Sequence, residues 1–275
     1  MNIIIFSKNY ENYTSGYYHQ DFINSFTAVG NCYVYGEGYH NYNPSDNFSD
    51  VVAKSPFSNS EIDLVVVGTS WEEQNPNLEH SDPHPKINLK FVKAKKIFFL
   101  NKEYKKLAAK LEYAIENKFD LVVTVHHDYN TWAKKTGLEF MRSHFAVDPK
   151  RFQFQGITKK YDFGFTGSLH RDYTDIRYVV KSKIFWNLNA LTNVGFQATL
   201  SNPIKQDFRK YNIYWAEWGA TSFRRSLLPS GKKYVRFLNK FKTFMSTPSA
   251  VGIIGTRFFE CMITKTIIMC PSSGD

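Results

Sequence analysis

The stretch of the 275-residue chain best suited to hold an anion is Thr247 to Pro271, TPSAVGIIGTRFFECMITKTIIMCP. Gly252 and Gly255 precede a helix expected around Arg257–Thr264, where a backbone turns sharply or lets a ligand approach. A helix opening from such a loop offers unpaired N–H groups and the positive end of its dipole, both suited to phosphate. Glu260, about one turn further on, reaches a sugar hydroxyl beside that phosphate. A nucleotide is therefore the ligand to look for. The same residues read equally as an ordinary loop–helix–strand crossover with Glu260 and Arg257 facing solvent. The run Ile267–Ile268–Met269–Cys270 is continuously apolar, as in a parallel strand covered on both faces.

A second group of polar residues acquires meaning from the elements before it. Short apolar strands are expected at 3–6, 31–35, 63–68, 96–100 and 120–125, with helical spacing at 17–26 and 102–117. Strands alternating with helices give a doubly wound parallel sheet, and such sheets bind ligands beyond the carboxyl ends of their strands. Ser7, Thr69, Asn101–Glu103 and His126–Asp128 stand there. Asp128 is also a natural N-cap for a helix over 129–135. Residues 36–49 read as loop, and the aromatic run Tyr33–Tyr42 either stacks on a sugar or simply packs. His80 and His84 have metal-ligand spacing, but Pro83 and Pro85 exclude a regular helix, so a solvated loop is expected.

From Phe145 to Thr158 the pattern changes, which places a domain boundary at 155/156. Beyond it come a strand at 161–166, a Gly167-Ser168 turn with Arg171, and a helix over 175–191. A strand at 211–215, a helix at 232–240 and a strand at 242–246 lead into the anion-binding stretch. The expected architecture is α/β, two Rossmann-like doubly wound domains (1–155 and 156–275) facing a cleft.

An apolar content of 43% with 17% aromatic residues supplies real cores and excludes a mainly disordered chain. The 35 basic against 25 acidic residues, a net +10, favour anionic partners. Lysines scatter without a run of five, which speaks against nucleic acid. Cys32, Cys261 and Cys270 lack C-x-x-C spacing, pointing to a reducing compartment and no structural zinc. The apolar run in MNIIIFSK is too short for a signal peptide, and no window approaches the roughly 18 apolar residues of a membrane span. A cytoplasmic location is expected, where the sequons at Asn12 and Asn47 carry no meaning.

Five segments carry a resemblance. They are LNKEYKKLAAKLEYAIENK (100–118), FDLVVTVHHDYNTWAKKTG (119–137), HFAVDPKRF (144–152), KKYDFGFTGSLHRDYTDIR (159–177) and FLNKFKTFMSTPSAVGIIGTRFFECM (237–262). In this order they resemble GT-B glycosyltransferases of the spore-coat CgeB-like or exostosin-like type, over most of residues 95–270. The resemblance implies transfer of a sugar from a nucleoside-diphosphate sugar to a glycan or other hydroxyl acceptor held by the N-terminal half. It further implies that Glu260 accepts hydrogen bonds from ribose hydroxyls. Gly167, Ser168, Gly255 and Thr256 would let the diphosphate meet backbone N–H groups, and Arg171 and Arg257 would neutralise it as it leaves. No metal or other cofactor is expected, because GT-B enzymes generally lack a tightly bound ion.

Two departures qualify this picture. Retaining members of the wider fold carry a P-S-x-x-E…E arrangement; Pro248-Ser249 is present, but Gly252 stands where the first glutamate would be. An inverting mechanism is therefore expected, which needs a general base. His126 or His127, oriented by Asp128, supplies an imidazole near neutrality, and Glu103 is the rival. Alternation along a strand sends the two histidines to opposite faces, and a His-His-Asp metal site is not expected. The chain also stops before the last strands and helix usual in GT-B, a shortened C-terminal domain. Its alternative reading is a non-catalytic nucleotide- or glycan-binding protein on a degenerate scaffold.

Overall fold

Ile3, Ile4, Ile5 and Phe6 have no solvent exposure, because strand β1 (Asn2–Phe6) lies between two parallel neighbours, β2 (Asn31–Tyr35) and β3 (Leu64–Val67). In a computed structural model describing residues 1–9, 17–72, 82–145, 147–168, 204–208, 213–218, 231–247 and 253–270, these strands open a six-stranded parallel sheet. It continues through β4 (Lys95–Phe99), β5 (Leu121–Thr124) and β6 (Phe140–Arg142) in the order β2-β1-β3-β4-β5-β6. Alternate residues divide between two cores, as the pleat requires. Ile3, Ile5, Leu64 and Val66 meet Phe22 and Phe26 of α1 (Tyr17–Thr27). Ile4, Phe6, Val65 and Val67 join a cluster with Val51 of α2 (Phe48–Lys54), Leu111 and Ala114 of α3 (Leu107–Glu116) and Trp132 of α4 (Tyr129–Thr136).

The expected loop over 36–49 gives way to α2 at its end, because Asn47 and Asp50 form a reciprocal capping box. The helix expected over 102–117 begins only at Leu107. Lys102 and Lys106 have φ of 50° and 48°, and the buried Lys110 ammonium holds the resulting turn by donating to the carbonyls of Asn101 (2.6 Å) and Lys102 (3.2 Å). At its other end α3 closes with Phe119 N–H on the Ala114 carbonyl and Lys118 N–H on that of Ile115. Lys118 is left-handed there, φ 51°, where glycine is usual.

The chain divides into two compact units, Met1–Ala146 and Val147–Asp275. The division precedes the expected boundary because Phe152 is buried in the second core and the Gln155 N–H donates to Asn239 Oδ1 at 2.9 Å. That core joins Tyr161, Tyr214, Phe237, Phe241, Phe244 and Cys261. The second sheet comprises β7 (Tyr161–Ser168), β8 (Ile204–Phe208), β9 (Ile213–Trp218), β10 (Phe241–Met245) and β11 (Ile267–Met269), in the order β11-β10-β7-β9-β8. All pairings are parallel except β8 with β9, an antiparallel edge that was not anticipated. Helices α5 (Gly231–Leu238) and α6 (Thr256–Ile263) flank β10 in sequence. Gly164 lets β7 and β10 approach, since any Cβ there would run into the Phe241 ring.

The expected coverage of the last strand also fails. β11 is not covered on both faces: Ile267 is 68% and Met269 48% exposed, because β11 ends the sheet and has β10 as its one strand neighbour among the described residues. The expected helix over 175–191 lies outside the described residues, as do Arg171, His80, Pro248, Ser249 and Gly252. Among the described residues no helix is long and apolar enough to cross a membrane.

Candidate functional site

In the second unit β8 and β9 follow β7 on one side of it, and β10 then lies on the other. The β7/β10 junction is thus the switch point of a doubly wound sheet, beyond whose carboxyl ends ligands bind. Gly167 and Ser168 close β7 there, and α6 is the helix that follows β10. Gly255 is its N-cap residue, extended at φ −80° and ψ 169°, and supplies no side-chain cap. A Cβ at Gly255 would meet nothing within 4 Å among the described residues, which leave the approach to Thr256 open on that side.

Glu260 and Arg257 do not face solvent, as an ordinary crossover would have it. Glu260 is 8% exposed, and its Oε2 accepts a hydrogen bond from the Tyr234 hydroxyl of α5 at 2.8 Å. Oε1 makes no hydrogen bond among the described residues. Arg257 donates from Nη1 to the Thr166 carbonyl of β7 and lies 5.6 Å above the Phe244 ring, with Nε buried and unpartnered. Burial opposes the charge of Arg257, yet Tyr234 and Glu260 beside it raise its pKa. Burial, and then Glu260, push the Tyr234 phenol up. The Arg257–Tyr234–Glu260 group ties α5, α6 and β7 together and holds one carboxylate oxygen in reserve.

In the first unit the chain leaves β5 at Thr124, whose hydroxyl donates to Glu103 Oε1 and accepts the His126 N–H at 3.1 Å. Glu103 is 3% exposed, and its Oε2 is buried without a partner. The alternation expected of the two histidines does not apply, because residues 125–128 form a turn rather than strand. Their rings stack, with centroids 4.3 Å apart and planes at 24°, and His126 also packs on Trp132 at 5.0 Å. His126 Nδ1 accepts the Asp128 N–H at 3.1 Å, which places the imidazole proton on Nε2. Asp128 occupies the N-cap position of α4 without a side-chain cap. Its carboxylate lies 3.7 Å from His126 Nδ1 and 3.6 Å from His127 Nε2.

Ligand atoms of His126, His127 and Asp128 all lie within 4.8 Å of one another. Ligand atoms so placed could hold a metal ion, a grouping not expected from the sequence. At the β1/β3 switch point of this sheet, Lys8 pairs with Glu37 at 3.1 Å and lies 5.6 Å above the Trp71 ring. His19 Nδ1 meets Thr69 Oγ1 at 2.9 Å, and Asn101 donates to the Thr69 carbonyl at 2.7 Å. Lys8, His19 and Tyr234 are the site-forming residues that spacing did not single out. Tyr33 and Tyr35 of β2 and Tyr42 beyond it pack on one another and on the core, so these three are structural.

Comparison of the chain with family models, with curated proteins and with solved structures finds no match.

Proposed function

We propose that the chain is a GT-B glycosyltransferase that moves a sugar from a nucleoside-diphosphate sugar to a hydroxyl acceptor, with inversion and without an obligatory metal. One observation carries the reading. A carboxylate, Glu260, stands about one turn into the helix at the β7/β10 switch point, with Oε2 fixed by Tyr234 and Oε1 without a hydrogen bond among the described residues. An acceptor of that kind beside an open helix N-terminus suits a ribose hydroxyl next to a diphosphate. In the transfer, the acceptor oxygen bonds to the sugar's anomeric carbon. The anomeric carbon–phosphate oxygen bond breaks, the diphosphate leaves with the electron pair, and a base takes the hydroxyl proton. The base is His127: its ring is 53% exposed, whereas the Nδ1 lone pair of His126 already accepts the Asp128 N–H. Arg257, engaged by Thr166, serves the site as a strut, and the charge of the leaving group falls to the α6 N-terminus and Arg171.

Calorimetry with UDP-, GDP-, CDP- and dTDP-sugars tests this. One nucleotide class binds, and Glu260→Ala weakens it by roughly tenfold to a hundredfold, as expected for a hydrogen bond to a charged group. A folded chain that binds none of them overturns the proposal. The second reading, a binding protein without turnover, is favoured by Gly252 standing where retaining members carry their first glutamate. It predicts donor binding and no transfer with His127 intact.

A further inference from the structure

At the end of the second sheet opposite Gly167 and Gly255, three adjacent parallel strands are each preceded by lysine: Lys159 and Lys160 before β7, Lys240 before β10, and Lys265 before β11. The local chain holds them together. The Lys159 ammonium donates to the Thr264 carbonyl and to Thr266 Oγ1, each at 3.2 Å, and the Lys160 N–H bonds to the Lys240 carbonyl at 2.7 Å. Between them stands Phe154, 43% exposed, with the Lys159 ammonium 5.8 Å and the Lys265 ammonium 4.7 Å from its ring centroid. Met262, whose carbonyl accepts the Lys265 N–H at 3.1 Å, is 64% exposed. Among the described residues none of these four lysines has a carboxylate partner; Lys242, the nearby exception in β10, pairs with Asp162 at 2.7 Å. Burial without a counter-charge pulls the Lys159 pKa down.

We propose that this lysine–phenylalanine surface docks the chain on an anionic phospholipid bilayer. Four ammonium groups without a carboxylate partner among the described residues, beside exposed phenylalanine and methionine side chains, match the interface of a charged membrane, where head groups meet the cations and the apolar side chains enter among acyl chains. A polynucleotide fits less well. Ammonium groups already lie over the Phe154 ring, where a base would have to stack.

Co-sedimentation with phosphatidylcholine vesicles, with and without phosphatidylserine, reads the proposal directly. The chain partitions onto the phosphatidylserine vesicles alone, and high salt releases it. Lys160→Gln and Lys265→Gln each lower partitioning about fivefold, as one lysine near such a surface is worth, and Phe154→Ala lowers it further. All three side chains are exposed, and an unchanged thermal midpoint shows that the variants fold. None of the three side chains hydrogen-bonds the Glu260 carboxylate, which Tyr234 holds, so nucleotide binding is expected unchanged and this test stands apart from the transferase reading. Equal binding to both vesicle types, partitioning indifferent to the lysine variants, or a preference for single-stranded oligonucleotide lost in those variants would each overturn it.

Discussion

Tyr234 is the side chain on which the conformation of Glu260 depends. Its hydroxyl is the one hydrogen-bond donor to that carboxylate among the described residues. Tyr234→Phe is expected to destabilise the second unit by about 1.5–3 kcal/mol, the worth of a hydrogen bond to a charged group. In the first unit Thr124→Val strands a carboxylate already short of one partner, and a loss of similar size is expected. Urea unfolding of the two variants decides both, and an unchanged midpoint would mean that water supplies what the hydroxyls do now. Glu260 and Arg257 were legible because a glycine loop before a helix is a local pattern. Tyr234 was not, since it sits 26 residues from Glu260 and only packing brings them together. Alternation misled at His126 and His127 for the opposite reason: it is a rule of strands, and the strand has ended by Thr124.

Helix ends repay the same attention. Both α3 and α6 finish with a left-handed lysine, Lys118 at φ 51° and Lys265 at φ 53°. In each case the next residue's N–H reaches back to the helix: Phe119 to the Ala114 carbonyl, and Thr266 to that of Cys261. A side chain in that conformation costs about 1–2 kcal/mol that glycine avoids, while a cation at a helix C-terminus returns about 0.3–1 kcal/mol. Lys118→Gly is therefore expected to stabilise the first unit by about 0.5–1 kcal/mol, read as a raised denaturation midpoint; a lowered midpoint would show that the Lys118 side chain does more than end the helix. The strands with unbroken apolar runs, 3–6 and 64–67, were readable from sequence because burial on both faces leaves no polar position. The same reasoning failed for β11, whose run is just as apolar but whose place at the sheet edge is a property of strand order. The late start of α3 was hidden for a related reason: nothing in Lys102–Lys106 forbids a helix, and the buried Lys110 ammonium that holds the Asn101 and Lys102 carbonyls in a turn is a product of packing.

On the scale of the whole chain, two cores titrate in the same direction. Tyr35 in the first unit is pushed from 10.0 up to about 12 by burial and by its hydrogen bond to Asp46. Cys261 in the second is pushed from 9.0 to about 12, chiefly by burial. A raised pKa means that the folded state keeps a proton the unfolded chain releases. The stability each contributes is complete below 9.0 for the thiol and 10.0 for the phenol, and drains away as pH climbs to about 12. Denaturation midpoints should thus fall across that alkaline window, and the fall in the second unit should be relieved in Cys261→Ala; midpoints level to pH 12 would contradict both shifts. Two Rossmann-like units were foreseeable because alternating strands and helices recur along the chain, whereas the order of the strands depends on pairings that no local window contains. That order also has a consequence for synthesis. The buried strand β1 is synthesised well before its second neighbour, which begins only at Leu64. Until then Ile3 to Phe6 form an adhesive, half-paired ribbon, and the nascent chain is a natural client for any chaperone waiting at the exit tunnel.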